Sequence, residues 1–357
     1  MRVLPEVRRD AWHPAYWLLA VALPLPIVLA DNTAYALRLA EGGVLLIDAG
    51  PDIPGDAAGE GDSWAAAVTQ LQAHQVGPSD VRAVLLTHSH LDHAGLAYRW
   101  AEAGARILVG AADVPAVAAG QAWSEARVEV RLRALVEHGC PPEVAARHAQ
   151  QTRRRPPAYR PAYRWEPCPA DALEAVADGA CFALAGGATL RVVDAPGHTP
   201  GNLVAYVAER GELYSGDTLL PHTVPTPGVH FPADAAGGVG PRAPSLPPFV
   251  ASVARLRALE VRRVLPGHGA PVEGEAVERL FERFEQHHGR RSARVRALLR
   301  ARPDTAYGVV RRLFPHLPET RLTQAMTEVI GQLDVLVERG EATASLDGGV
   351  LVHSASG

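Results

Sequence analysis

The sequence predicts a layered α/β fold followed by a helical tail, and two observations carry that reading. Between residues 20 and 274 short apolar, β-rich runs alternate with stretches of helical spacing, and run after run ends in a loop holding His or Asp. From about Glu275 the composition changes to long helices rich in Arg and Glu, without such loops. At roughly 100 to 200 residues per domain, the 357 residues predict two units: 1–274, with 113–165 as an insertion, and 275–357.

Taken in order, Tyr16–Ala30 is uncharged and follows Arg8 and Arg9, which gives it a signal-like look. Pro24, Pro26 and the continuation into NTAYALRL and VLLIDAG favour strands of one sheet, and the stretch is too short to span a bilayer. A Gly/Pro loop, a helix from Trp64 to His74 and the strand VRAVLLT follow. THSHLDHAG leads into a helix over LAYRWAEAG and then the strand ARILVG. Residues 113–165 interrupt the alternation with an Ala/Val/Arg helix pair and the Pro-rich QTRRRPPAYRPAYRW, read as an insertion over one face of the main unit. Strands resume in CFALAGG, ATLRVVDAPGH and NLVAYVAERGELYSGD, then a helix over Phe249–Glu260 and the strand RRVLPGHG. The tail has three helical segments, VRALLRA, TAYGVVRRLF and RLTQAMTEVIGQLDVLVERG. It ends in a hairpin turning at Asp347, Gly348 and Gly349, so three helices plus a hairpin describe a winged helix.

Composition removes several function classes. Hydrophobic residues at 47% and charged residues at 21% suit a folded core. No lysine occurs, which excludes Schiff-base chemistry and a phosphate-loop lysine. Cys140, Cys168 and Cys181 have no C-x-x-C spacing, so neither a disulfide framework nor a zinc ribbon is suggested and a reducing cytoplasm is expected. The net charge of −4 is no global trap for nucleic acid.

The chemistry concentrates in His88-Ser89-His90-Leu91-Asp92-His93, four candidate ligands in six residues directly after an apolar strand. Spacing of two sends His88 and His90 the same way from extended backbone, while Asp92 and His93 diverge on entering a helix, so one loop can serve two adjacent ions. His198 in APGHTPGN, Asp217 in YSGDTL and His268 in LPGHGAP each follow an apolar strand and sit beside glycine.

This ordered series resembles the metallo-β-lactamase superfamily of metallohydrolases over roughly Val21 to Val272. The resemblance implies an αββα four-layer sandwich for the catalytic domain 1–274, with the winged helix behind it. It implies two divalent metal ions, zinc first with manganese or iron as alternatives. His88, His90 and His198 would hold one, Asp92, His93 and His268 the other, and Asp217 would bridge them; Asp48 in LLIDAG would orient a ligand. Two such ions generate a bridging hydroxide, so hydrolysis is the implied reaction, with Asp92 or Asp217 taking the proton.

Departures from sister patterns narrow the choice. Asp217 stands where cysteine-ligand zinc β-lactamases have Cys, and His90 where flavodiiron proteins have Glu. Asn202, last in GHTPGN, is not expected to ligate. The leading expectation is therefore an ester, thioester or lactone hydrolase acting on a small molecule. The tail resembles the β-lactamase-associated winged helix of the lactamase-beta-like endoribonuclease subgroup, so cleavage of single-stranded RNA is the alternative. Arg153, Arg154, Arg155, Arg160 and Arg164, interleaved with Tyr159, Tyr163 and Trp165, would then contact RNA. Against this, the stretch from Glu285 onward has ten Arg and eight acids, leaving an acidic body. A further alternative is a nucleic-acid-binding winged helix with a structural metal site. Candidate substrate contacts are His222, His230 and Phe231 after Asp217. No membrane partner is expected, and a second copy of the chain is a candidate one.

Overall fold

The computed structural model describes residues 16–22, 31–55, 62–153 and 163–357. Two six-stranded sheets face each other. The first runs in spatial order β1 (Tyr16–Ala22), β2 (Asp31–Arg38), β3 (Val44–Ile47), β4 (Val81–Leu85), β5 (Arg106–Gly110) and β6 (Leu173–Val176). The first three are antiparallel and the rest parallel, which requires crossovers. The second sheet holds β7 (Cys181–Ala183), β8 (Thr189–Asp194), β9 (Leu203–Val207), β10 (Glu212–Gly216), β11 (Arg263–Pro266) and β12 (Val272–Glu273), also neighbours in chain order.

Side-chain alternation sorts residues into layers. Tyr35, Leu37, Leu45, Ile47, Ala83 and Leu85 point into the core between the sheets, where they meet Leu203, Ala205, Val207 and Tyr214. Their neighbours Ala34, Ala36, Val44, Leu46 and Val84 point the other way, under α1 (Ser63–Gln72), α2 (Leu91–Ala94) and α3 (Ala97–Glu102), with Trp100 fully buried. The insertion contributes α4 (Val114–Ala119), α5 (Gln121–Ala126), α6 (Val128–Glu137) and α7 (Pro142–Arg153). Val204, Tyr206, Leu213 and Val264 pack under α8 (Leu246–Arg257) and the first half of α9 (Glu275–Ala301). The layer order is helix, sheet, sheet, helix.

Three expectations shift. The helix expected at Phe249–Glu260 begins at Leu246, because Pro247 and Pro248 occupy its first turn, where a missing N–H leaves no hydrogen bond unmade. The insertion is four helices rather than a pair. Gly120, at φ +55°, separates α4 from α5, and a side chain there would strike the Trp165 carbonyl. Nor does the insertion only cover the main unit: Leu135, Cys140 and Ala145 share one core with the tail.

That tail core also takes Val295 and Leu299 from the far half of α9, so this helix of about 40 Å ties two cores together. β13 (Asp304–Thr305), α10 (Ala306–Leu313), α11 (Leu322–Glu338), β14 (Ala342–Asp347) and β15 (Val350–Ala355) complete the tail. Gly348 and Gly349 both have positive φ, as a two-residue hairpin turn needs. α11 is buried on every side over residues 329–333 and on one face elsewhere: Gly331 lies against Leu246, and Arg242 makes a two-pronged ion pair with Asp334 at 2.7 and 2.9 Å. Among the described residues, no helix is long and apolar enough to cross a membrane.

Candidate metal centre

Successive strands deliver their terminal loops to one edge of the sandwich. β3 ends at Asp48, β4 at residues 88–93, β8 leads to His198, β10 to Asp217 and β11 to His268. The seven residues expected as ligands converge there. His90 Nδ1 lies 3.0 Å from both His88 Nε2 and His198 Nε2. His268 Nε2 lies 3.3 Å from both His93 Nε2 and Asp92 Oδ2. Asp217 stands between these triads: Oδ1 is 3.4 Å from His93 Nε2 and 3.5 Å from His268 Nε2, whereas Oδ2 is 3.7 Å from His198 Nε2.

These spacings fit a cation. A tetrahedral ion with nitrogen ligands at about 2.0–2.1 Å separates them by about 3.3 Å. Oδ1 of Asp217 is buried without a hydrogen-bond donor among the described residues, an acceptor that a cation would satisfy. His88/His90/His198 and Asp92/His93/His268 are each close enough to hold an ion, as is His88/His93/Asp217 between them.

The protons are arranged to suit. Asp48 accepts hydrogen bonds from the Thr87 N–H (2.7 Å), the Thr87 hydroxyl (2.9 Å) and His93 Nδ1 (2.8 Å). The hydroxyl, having given its proton to Asp48, accepts from His88 Nδ1 at 3.0 Å. Both imidazoles thus carry hydrogen on Nδ1 and turn the lone pair of Nε2 toward the centre. Asp48 does this from φ +67°, a left-handed conformation that few non-glycine residues adopt. Burial, reinforced by neighbouring histidines, lowers the pKa of His88 well below its ordinary value and that of His198 to about 3, so both are neutral donors. Burial also works against charge on His93, but Asp217, Asp48 and Asp92 outweigh it and raise its pKa. That negative field is the one a cation would meet.

Close approach demands glycine behind the site. A Cβ on Gly267 would lie 2.5 Å from His93 Cε1 and 2.9 Å from Asp217 Oδ1.

Two positioning residues escaped the sequence reading. Thr87 is one. Asp113 is the other: its carboxylate accepts from Ser89 N (2.9 Å), Thr199 Oγ1 (2.6 Å) and Gly201 N (2.9 Å), clamping the loop of His88 and His90 to that of His198. The signal existed, since Asp113 follows β5 as the other site acids follow their strands. Asn202 donates to the Thr218 hydroxyl at 2.9 Å and steadies the residue after Asp217.

A cavity of about 650 Å³ opens beside His90 and Asp92. His230 and Phe231 line it, and His230 Nε2 donates to the carbonyl of His198 at 3.2 Å. His222 is exposed and sits near Gly269 rather than in the cavity. Arg153 ends α7, its side chain outside the described residues, as are Arg154, Arg155, Tyr159 and Arg160. Arg164 turns onto Asp52 at 3.3 Å, and Trp165 joins the cavity wall.

A family model described as the metallo-beta-lactamase superfamily matches residues 29–268, about two thirds of the chain. The chain belongs to this superfamily. Among its relatives, the probable metallo-hydrolase YqjP of Bacillus subtilis is 30% identical over 329 residues, covering 92% of this chain and 94% of that protein. The metallo-beta-lactamase family protein TTHA1429 of Thermus thermophilus superimposes with a TM-score of 0.70 at 27% identity, covering 96% of this chain and 99% of that one. A thioesterase of Aspergillus fumigatus, the atrochrysone carboxyl ACP thioesterase, is 29% identical over 139 residues, 39% of this chain and 36% of its own length.

Proposed function

We propose that this chain is a dinuclear metal-dependent hydrolase of small-molecule esters, thioesters or lactones. One observation carries the reading: the two oxygens of Asp217 are divided between two separate ligand triads. Two divalent cations, when bound, acidify water and polarise an acyl oxygen. His88, His90 and His198 would hold the first and Asp92, His93 and His268 the second, with Asp217 within reach of both groups. Zinc suits this nitrogen-rich set, and manganese or iron accept it. Asp48 and Thr87 fix the tautomers of His88 and His93, so the donor atoms need no rearrangement when an ion arrives. Asp92, the ligand carboxylate on the cavity wall, takes the proton released from attacking water and returns it to the leaving group.

The cavity supports an acyl substrate over a polymer. It is bounded largely by apolar groups, including Ala116, Val128, Leu132, Leu135 and Val229. The thioesterase relative adds weight to the thioester option. We read the tail as a winged helix recruited as pocket wall, because Thr323 and Thr327 of α11 line the cavity. Residues 329–333 of this helix are buried on every side, so only its two ends stay exposed, which disfavours α11 as the reader of a nucleic-acid groove.

The test is a panel of ester, thioester, lactone, phosphodiester and RNA substrates with metal-loaded protein. Cleavage of an acyl substrate, abolished by chelation and by Asp217→Ala, is expected. Cleavage confined to RNA or phosphodiesters would replace this reading with the nuclease one.

A further inference from the structure

Resting on the acyl-hydrolase reading, we propose that the substrate carries an anionic group at a distance from the scissile bond, received by Arg127 and Arg131 of the insertion. Arg127 is 3% exposed and lines the cavity. Its Nε donates to the Phe231 carbonyl at 2.8 Å, its Nη1 to the Trp123 carbonyl at 3.2 Å, and its plane lies over the Trp123 ring. Nη2 is buried with no acceptor among the described residues. Among the described residues no carboxylate pairs with Arg127 or with Arg131, one helical turn further on and also on the cavity wall. The acids that do line the cavity are committed elsewhere, Asp92 at the metal centre and Asp113 to its three donors.

A guanidinium buried without a counter-charge is costly, and a partner that completes it recovers the cost. Among the described residues the charge that acts on Arg127 is the like charge of Arg131, so the pair makes a cationic end in a largely apolar chamber. Its distance from the chemistry is set by a short relay: the His198 carbonyl holds His230, and the carbonyl of adjacent Phe231 holds Arg127. The chamber therefore suits a molecule with a reactive acyl group at one end, an apolar middle, and a carboxylate or phosphate at the other. Arginine's planar fork accepts either anion.

The experiment pairs two readouts on the metal-loaded chain. Hydrolysis is compared between 4-nitrophenyl octanoate and the mono-4-nitrophenyl ester of suberic acid, equal in length but ending in methyl or carboxylate, with a phosphate-ended analogue as a third arm. Binding of 1-hexanesulfonate, an anion that ligates metals poorly, is measured against 1-hexanol by calorimetry. An anion-ended ester favoured at least about tenfold in kcat/KM is expected, whichever of carboxylate and phosphate wins, with sulfonate binding and hexanol not. Arg131→Met should weaken both preferences severalfold, and Arg127→Met should bring the ratio close to one. If Arg127→Met fails to fold, Arg131→Met alone decides. Esters cleaved without preference, and no sulfonate binding, would overturn the anion site while leaving the hydrolase standing. Sulfonate bound through these arginines with no ester cleaved would do the reverse.

Discussion

Replacing Asp48 by Asn changes one atom and sets two hydrogen-bond requirements against each other. Oδ1 of Asp48 accepts the Thr87 amide, and Oδ2 accepts both the Thr87 hydroxyl and His93 Nδ1. An asparagine has one acceptor and one donor end. With its NH2 toward His93, it forces the proton of that ring from Nδ1 to Nε2, the atom that faces His268 and Asp217. With its NH2 toward Thr87, a buried amide N–H loses its acceptor at a cost of about 1–3 kcal/mol. The left-handed backbone at φ +67° is no obstacle, because asparagine tolerates it as well as aspartate does. Loss of such an orienting partner typically weakens metal binding by 10- to 100-fold, about 1.4–2.7 kcal/mol. Chelator competition should show one ion weakened by that factor and the other less affected, with a parallel fall in kcat. Two ions held with native affinity by Asp48→Asn would refute the tautomer argument.

Asp113→Ala should reduce stability by about 2–4 kcal/mol in urea unfolding, since three buried donors lose one carboxylate, and should also lower kcat. Native turnover in that variant would remove the clamp from the account. Gly267→Ala drives a methyl against His93 and Asp217, so metal content should fall below two ions with circular dichroism unchanged. Burial, then Arg242 and His353, lowers the pKa of His138 to about 3; burial, then His287, does the same for His288. Unfolded, both titrate near 6.5, so between about pH 6.5 and 3 the unfolded chain binds protons that the folded chain refuses, and stability falls as pH drops through that window. From pH 6.5 to 5 the loss should be about 1–2 kcal/mol per histidine, and His288→Leu should flatten the pH dependence by its share. An unaltered slope in that variant would contradict the shift.

The ligand residues were legible because each sits where a buried strand stops, a place that a one-dimensional pattern marks well. Short continuous apolar runs likewise foretold the strands, since Leu45 and Leu46 face opposite layers and both are buried. The same logic, extended one strand further, would have picked out Asp113 after β5. Arg127 left no such trace: it is the single residue between α5 and α6, in a stretch of unexceptional composition, and its meaning comes from Trp123, Phe231 and the metal edge meeting across the fold. The burial of α11 was equally hidden. Its apolar pattern fits a winged helix in any setting, and the Arg242–Asp334 pair that docks it joins residues 92 positions apart.

The division of the Asp217 carboxylate between two triads is most directly tested by native mass spectrometry of the purified chain after dialysis against a divalent metal. Two ions per chain are predicted for the wild type, and loss of at least one for Asp217→Ala. A single ion in the wild type, or two retained by the variant, would contradict a dinuclear centre built on that residue.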